Sequence, residues 1–268
     1  MLRAMAAQPA TAAPLIVVTG PVPASSSDPA LTLRKIQLYA DAIRLNGGNP
    51  VLIDVATPVA ERNRLLAGMA GLLLAGGPDI DPALYGQEPA GAADVDTARD
   101  LLELTAWREA ERRAVPVLGI CRGLQAINVF SGGKLLQNVP SHAGTPYGHG
   151  PAHTHILEIA PDSRLGRAIA SAAPDGVAGA DPEDDMLELE VNTYHHQAVR
   201  HDTLAAGLRA VAWSDSGSGR LVEGLEGHGG RWLVAVQCHP ERTESTPEEF
   251  AGLWADFVRA AARFARTA

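Results

Sequence analysis

One cysteine, Cys121, stands where an apolar run, Pro116-Val-Leu-Gly-Ile120, passes at once into the helical pattern Arg122-Gly-Leu-Gln-Ala-Ile-Asn128. This spacing predicts a sharp strand-to-helix turn with the thiol at its apex, and Gly119 and Gly123 leave room for backbone to approach on both sides. At a helix N-terminus the unpaired N–H groups and the dipole favour a thiolate. A cysteine nucleophile needs a base, and the base needs an orienting group. Far along the chain, Val236-Gln-Cys-His-Pro-Glu241 offers both. On an extended segment alternate side chains share a face, so Gln237, His239 and Glu241 project together. Glu241 is then able to receive the imidazole N–H that faces away from Cys121. Cys238 points to the opposite face, as a core residue and not a second nucleophile. The chemistry open to Cys121, His239 and Glu241 is acyl transfer.

Several elements must hold these residues in place. Residues 15–19, 50–54, 71–75, 116–120 and 232–237 are short apolar runs that read as buried strands. Residues 29–46, 59–67 and 98–114 read as helices, the first with Ile36, Tyr39 and Ile43 on one face and Leu38, Ala42 and Leu45 beside it. Such alternation predicts the α/β class: a single domain over residues 15–268 with a mostly parallel sheet covered by helices on both faces. Sites in such sheets form beyond the carboxyl ends of the strands, where both Gly76-Gly77 and Cys121 fall. After Gly132-Gly133 the pattern changes to a small antiparallel region at 156–159, 187–191, 208–213 and 221–225, and residues 247–266 form a terminal helix. Residues 1–14 read as a frayed leader without a structural role, 84–97 as a loop and 172–185 as a mobile surface loop.

The 268 residues carry a net charge of −9, which argues against nucleic acid or an anionic membrane as the main partner. Aromatics make up only 4 %, so the core must rest on Val, Ile, Leu and Ala. Two cysteines exclude a disulfide framework and favour a reducing compartment, hence a cytoplasmic protein. No apolar run approaches a membrane span, and the N-terminus lacks the apolar stretch of a signal peptide. His142, His149, His153 and His155 raise the question of a metal. No cysteine or acidic ligand sits among them at a recognised spacing, so the sequence assigns neither metal nor cofactor.

The pair Gly119-Ile-Cys121-Arg-Gly123 and Gln237-Cys-His239-Pro-Glu241 resembles the class I glutamine amidotransferase superfamily; its first half is the thiol counterpart of the G-x-S-x-G elbow. Four further segments, Gly76-Gly-Pro-Asp-Ile-Asp-Pro-Ala-Leu-Tyr-Gly86, Cys121 to Val129, Gly132-Gly-Lys-Leu-Leu-Gln137 and Val191-Asn-Thr-Tyr-His-His-Gln-Ala-Val199, are similar to the γ-glutamyl-γ-aminobutyrate hydrolases of the peptidase C26 type. The resemblance implies a flavodoxin-like architecture, Cys121 as nucleophile, His239 as general base and acid, and Glu241 as third member of a triad. It also implies an oxyanion hole from the backbone N–H groups of Gly77 and Arg122, and a glutamyl pocket lined by Gln125, His195, His196 and Gln197. His195 and His196, being adjacent, cannot easily both face that pocket, and which one does stays open. A small γ-glutamyl substrate and a homodimer are the partners that the resemblance suggests. The chain departs from the superfamily at Cys238, where the residue before the histidine is usually aromatic; this is a packing change.

Three activities fit these residues. The first is hydrolysis of a γ-glutamyl amide through a γ-glutamyl thioester. A glutaminase subunit feeding ammonia to a separate synthetase is the second, and a non-catalytic binding protein on the same fold is the third. Asp79 and Asp81 read as ordinary turn residues, and Gly132-Gly133 as a helix stop.

Overall fold

The computed structural model describes residues 12–144, 150–173, 186–217 and 219–267. Its first half alternates β1 (Leu15–Thr19), α1 (Pro29–Leu45), β2 (Asn49–Ile53), α2 (Val59–Gly68), β3 (Gly71–Leu74), α3 (Thr97–Arg113), β4 (Val117–Ile120) and α4 (Arg122–Phe130). The second half adds β5 (His153–Ile159), α5 (Arg164–Ala170), β6 (Leu187–Thr193), β7 (Val199–Arg200), β8 (Leu208–Ser216), β9 (Gly219–Gly227), β10 (Leu233–Val236) and α6 (Ala251–Thr267). Local chemistry starts the helices. Asp28 and Asp96 cap α1 and α3 by accepting the Leu31 and Arg99 N–H groups, and Pro29 takes the first position of α1.

One sheet runs through these elements in the order β2-β1-β3-β4-β10-β9-β8-β5-β6, with β7 paired to β9. The first five strands are parallel and the rest continue antiparallel. Alternate residues of the apolar strands divide between two cores. Ile16, Val18, Leu73, Leu118 and Ile120 pack with side chains of α1, α5 and α6, whereas Val17, Leu72, Leu74 and Val117 pack with those of α2, α3 and α4. The α/β reading, a parallel sheet with helices on both faces, therefore holds.

The pairing of β10 beside β4 positions the site. Val236 stands opposite Ile120, so the residues that follow emerge together at the carboxyl edge. Leu74 stands opposite Gly119 on the other side, which brings the Gly76-Gly77 turn to the same edge.

Some expectations change. Pro14, assigned to the leader, is buried and its carbonyl accepts the Asn49 N–H at 2.9 Å. Leu45 is 87 % exposed because it sits at the last turn of α1, past the contact with the sheet. The terminal helix begins with a separate 3-10 turn, Glu248–Phe250. Helix α5 was not legible as a helix, although Ser163 caps it by accepting from the Gly166 N–H. Residues 1–11 of the leader, 174–185 of the acidic loop and His149 lie outside the described residues. Among the described residues no helix is long and apolar enough to cross a membrane.

Candidate active site

Cys121 occupies the turn between β4 and α4 with φ 53° and ψ −106°. A side chain in this left-handed region costs on the order of 1–2 kcal/mol, so the neighbours must enforce it. They do so through hydrogen bonds: the Cys121 N–H donates to Val236 O at 2.8 Å, and Cys121 O accepts the Leu124 N–H at 3.0 Å. Gly123 is required by a close approach, since a Cβ there would lie 2.0 Å from Leu74 O. The glycine thus lets α4 press against β3.

His239 lies beyond the end of β10. The chain does not stay extended there: the Arg242 N–H donates back to His239 O at 3.1 Å, closing a turn. That turn, and not strand alternation, brings His239 Nδ1 to 2.6 Å from Glu241 Oε1. Tyr39 Oη lies 3.4 Å from the same nitrogen and accepts the Gly76 N–H at 3.2 Å. The backbone of His239 is gripped by Asn192, whose Oδ1 accepts the His239 N–H at 2.9 Å and whose Nδ2 donates to His239 O at 3.1 Å. Tyr194 meets the imidazole edge-on at 5.6 Å between centroids.

These surroundings set the charge on His239. Burial works to lower its pKa, but the Glu241 carboxylate and then the neighbouring Cys121 outweigh it, bringing it up to about 8. Burial likewise opposes the charge on Glu241, yet His239 holds its carboxyl below the ordinary range. Cys238 is buried in the core behind them, and burial pushes its thiol well up, as suits an unreactive thiol.

A buried group of four charges lies beneath the Gly76-Gly77 turn. Arg99 donates from Nη2 to Ala75 O at 2.9 Å and to Gly76 O at 3.1 Å, and from Nε to Glu103 at 2.8 Å. The Arg122 guanidinium bonds both Glu103 and Asp100, and the Thr19 hydroxyl donates to Glu103 at 2.8 Å. Two cations face two carboxylates, so the group is neutral as a whole. Despite burial, Arg122 and then Arg99 hold the Glu103 carboxyl below its ordinary range. Gly77 is fixed by this packing, because a Cβ on it would lie 1.9 Å from Arg99 Nη1. The Arg122 N–H opens the first turn of α4 and has no acceptor within the helix by position.

The four residues assigned to a glutamyl pocket separate into two sets. His196 is partly exposed, as is its neighbour Tyr194, while Gln125, His195 and Gln197 are turned inward and buried. His196 Nε2 lies 2.9 Å from Asp79 Oδ2, so two loops of the site meet there. Asp79 also accepts the Ala93 N–H at 2.8 Å, which makes it more than a turn residue. His195 is the histidine that points away: its Nδ1 lies 2.9 Å from Gln197 O and its Nε2 3.7 Å from Glu223. Gln125 is buried in α4, where its Nε2 donates to Gln197 O at 2.9 Å and to Gln237 Oε1 at 3.3 Å. The structure therefore gives Gln125 a bracing position between α4 and the strand ends.

Sequence reasoning missed Tyr39, Asn192, Asp79, Arg99 and Glu103 as members of this site. Tyr39 counted only as a core position of α1, and Asn192 lay within a recognised segment without a role.

The profile of the family described as Peptidase C26 matches residues 14–241. A Mycobacterium tuberculosis protein with the provisional name glutamine amidotransferase is 36 % identical over 211 residues, 76 % of this chain and 61 % of its own length. The chain thus spans about three fifths of that relative. Protein NtpR of Enterococcus hirae is 32 % identical over 83 % of this chain and 87 % of its own. The γ-glutamyl-γ-aminobutyrate hydrolase of Escherichia coli is 28 % identical over 77 % and 78 %. Among solved structures, the CTPS glutaminase domain of Trypanosoma brucei with bound acivicin superposes with a TM-score of 0.59 at 18 % identity, covering 93 % of this chain and 94 % of that one.

Proposed function

Because the chain belongs to the peptidase C26 family of glutamine amidotransferase-like hydrolases, we propose that it cleaves the γ-glutamyl amide bond of small γ-glutamyl conjugates through a thioester on Cys121. The observation that carries this reading is the buried His239–Glu241 pair, 2.6 Å apart, beside a cysteine held at positive φ that helps raise the His239 pKa. In the proposed sequence the Cys121 thiol passes its proton to His239, Sγ attacks the γ-carbonyl carbon, a C–S bond forms and the carbonyl π pair moves onto oxygen. The oxyanion then faces the Gly77 and Arg122 N–H groups, each such donor contributing about 3 kcal/mol in the transition state. Collapse breaks the C–N bond as the His239 imidazolium passes its proton to the departing amine. Water enters next, and neutral His239 takes its proton. The C–S bond breaks, glutamate leaves and the thiol is restored. Asp79 and His196, joined across the partly open side, are the groups we assign to the glutamyl head. The E. coli relative's name motivates γ-glutamyl-γ-aminobutyrate as the first substrate to try.

The test is a panel of γ-glutamyl amides, with glutamine as one arm, on native protein and on Cys121→Ala. Glutamate release from conjugates in preference to glutamine, abolished in Cys121→Ala, is the expected result. Undiminished turnover in the variant would refute the mechanism, and turnover of glutamine alone would refute the substrate class.

A further inference from the structure

Behind the candidate active site, three histidines and one glutamate from four different elements converge. His142 ends the 3-10 turn Pro140–His142, His155 lies on β5, His195 follows β6, and Glu223 lies on β9. Ligand atoms of His142, His155 and Glu223 all lie within 4.8 Å of one another. Glu223 Oε2 is also 3.8 Å from His155 Nε2 and 3.7 Å from His195 Nε2. These separations are too long for hydrogen bonds. His155 Nε2, His195 Nε2 and Glu223 Oε2 are accordingly buried with no hydrogen-bond partner.

The outer nitrogen of each ring explains the arrangement. His195 Nδ1 lies 2.9 Å from Gln197 O, and His155 Nδ1 lies 3.0 Å from Ile156 O. A carbonyl only accepts, so both Nδ1 atoms must carry the proton and both Nε2 atoms present lone pairs. His142 Nδ1 has the Ser141 hydroxyl at 3.1 Å, and its Nε2 faces inward, 3.3 Å from Ser214 Oγ. Because the one Ser214 proton goes to Glu223, Nε2–H is the donor there, and moving that proton to Nδ1, with Ser141 as acceptor, frees Nε2 for a cation. Ser214 in turn donates to Glu223 Oε1 at 3.1 Å, leaving Oε2 turned toward the histidines. Neutral imidazoles whose Nδ1–H is fixed by an outer acceptor are what a metal site presents. The two lone pairs of His155 and His195 facing one buried carboxylate oxygen are repelled by it until something positive lies between them.

We propose that His142, His155 and Glu223 bind a divalent cation of the zinc type, and that His195, which stands outside their 4.8 Å cluster but has Nε2 3.7 Å from Glu223, turns in as the fourth ligand of an N3O site. Zinc to nitrogen and oxygen bonds of about 2.0–2.2 Å need ligand atoms roughly 3.3 Å apart, so the spacing of His142, His155 and Glu223 closes by side-chain movement of about 1 Å or less, and His195 has further to move. A cleft of about 570 Å³ that includes His142, His155 and Thr193 gives the ion a route from solvent. Bound there, the cation ties the antiparallel half of the sheet to the active-site segment, because the carbonyl that orients His195 also accepts from Gln125 of α4. The acidic ligand comes from β9, far along the chain from the histidines, so no local spacing could announce it.

The experiment strips the purified full chain with a chelator, restores Zn²⁺ or Co²⁺, and measures stoichiometry, visible absorption and Tm; none of these needs turnover. Native protein and Cys121→Ala are expected to hold about one Zn²⁺ per chain, to show the intense bands of four-coordinate Co²⁺, and to gain about 5 °C in Tm at a hundredfold excess over Kd. Glu223→Gln and His155→Asn are expected to lose more than the roughly tenfold affinity that removal of an outer partner costs. Three results would overturn the site: no stoichiometric uptake by native protein, leaving a water or a proton as the bridge; a weak six-coordinate Co²⁺ spectrum; or uptake that vanishes in Cys121→Ala and so belongs to the thiol. The native cobalt spectrum decides the matter even if a ligand variant fails to fold.

Discussion

Replacing Glu241 by glutamine keeps an oxygen available to His239 Nδ1–H, now 2.6 Å from a carboxylate, and removes only the charge. Burial by itself lowers the His239 pKa, so the rise from 6.5 to about 8 is the surplus left by Glu241 and Cys121 after burial is offset. That surplus amounts to about 2 kcal/mol in favour of the imidazolium. In Glu241→Gln burial prevails and the pKa is expected to fall below 6.5. The proposed acylation step needs the imidazolium to protonate the amine. Its rate should therefore decline above about pH 8 in the native protein and already near or below pH 6.5 in the variant, a loss of roughly fourfold or more at neutral pH. Stability follows the same sign. A folded-state pKa above the unfolded value contributes fully below pH 6.5, and the contribution is lost as pH rises through about 8. The assay is single-turnover amine release between about pH 5 and about pH 10, with calorimetry on the same samples. An alkaline limb that stays near pH 8 in Glu241→Gln would refute the electrostatic reasoning.

Glu103→Gln leaves Arg99 and Arg122 facing one remaining carboxylate in a buried group, and breaking such a pair costs about 3–5 kcal/mol. Calorimetry should show Tm lower by roughly 10 °C, and a change of only a degree or two would show that the charges contribute little. Cys121→Gly relieves the positive φ that Cys121→Ala retains. Denaturant unfolding should therefore find the glycine variant more stable than the alanine variant by about 1 kcal/mol, with both inactive. The opposite order would mean that the turn is not strained.

How far the sequence discloses this molecule depends on whether each residue's partner is near in the chain or in the pattern. The strands were legible because β1, β3, β4 and β10 are buried on both faces and so are apolar without interruption. The strand-to-helix turn at Cys121 was legible for a related reason: Gly123 answers a close approach to Leu74, and such glycines leave a mark in the string. His239 and Glu241 were adjacent enough to be paired, yet for the wrong geometric reason, since a turn and not an extended face joins them. Arg99, Asp100 and Glu103 carried no such mark. They are three charged residues close together on α3, and only the neighbours Arg122 and Thr19, supplied by other elements, make their burial tolerable. The same limit hid Glu223 from His142, His155 and His195. An apolar residue announces its burial through its own type. A buried polar residue is explained only by its partner, and here those partners arrive from distant strands once the sheet has formed.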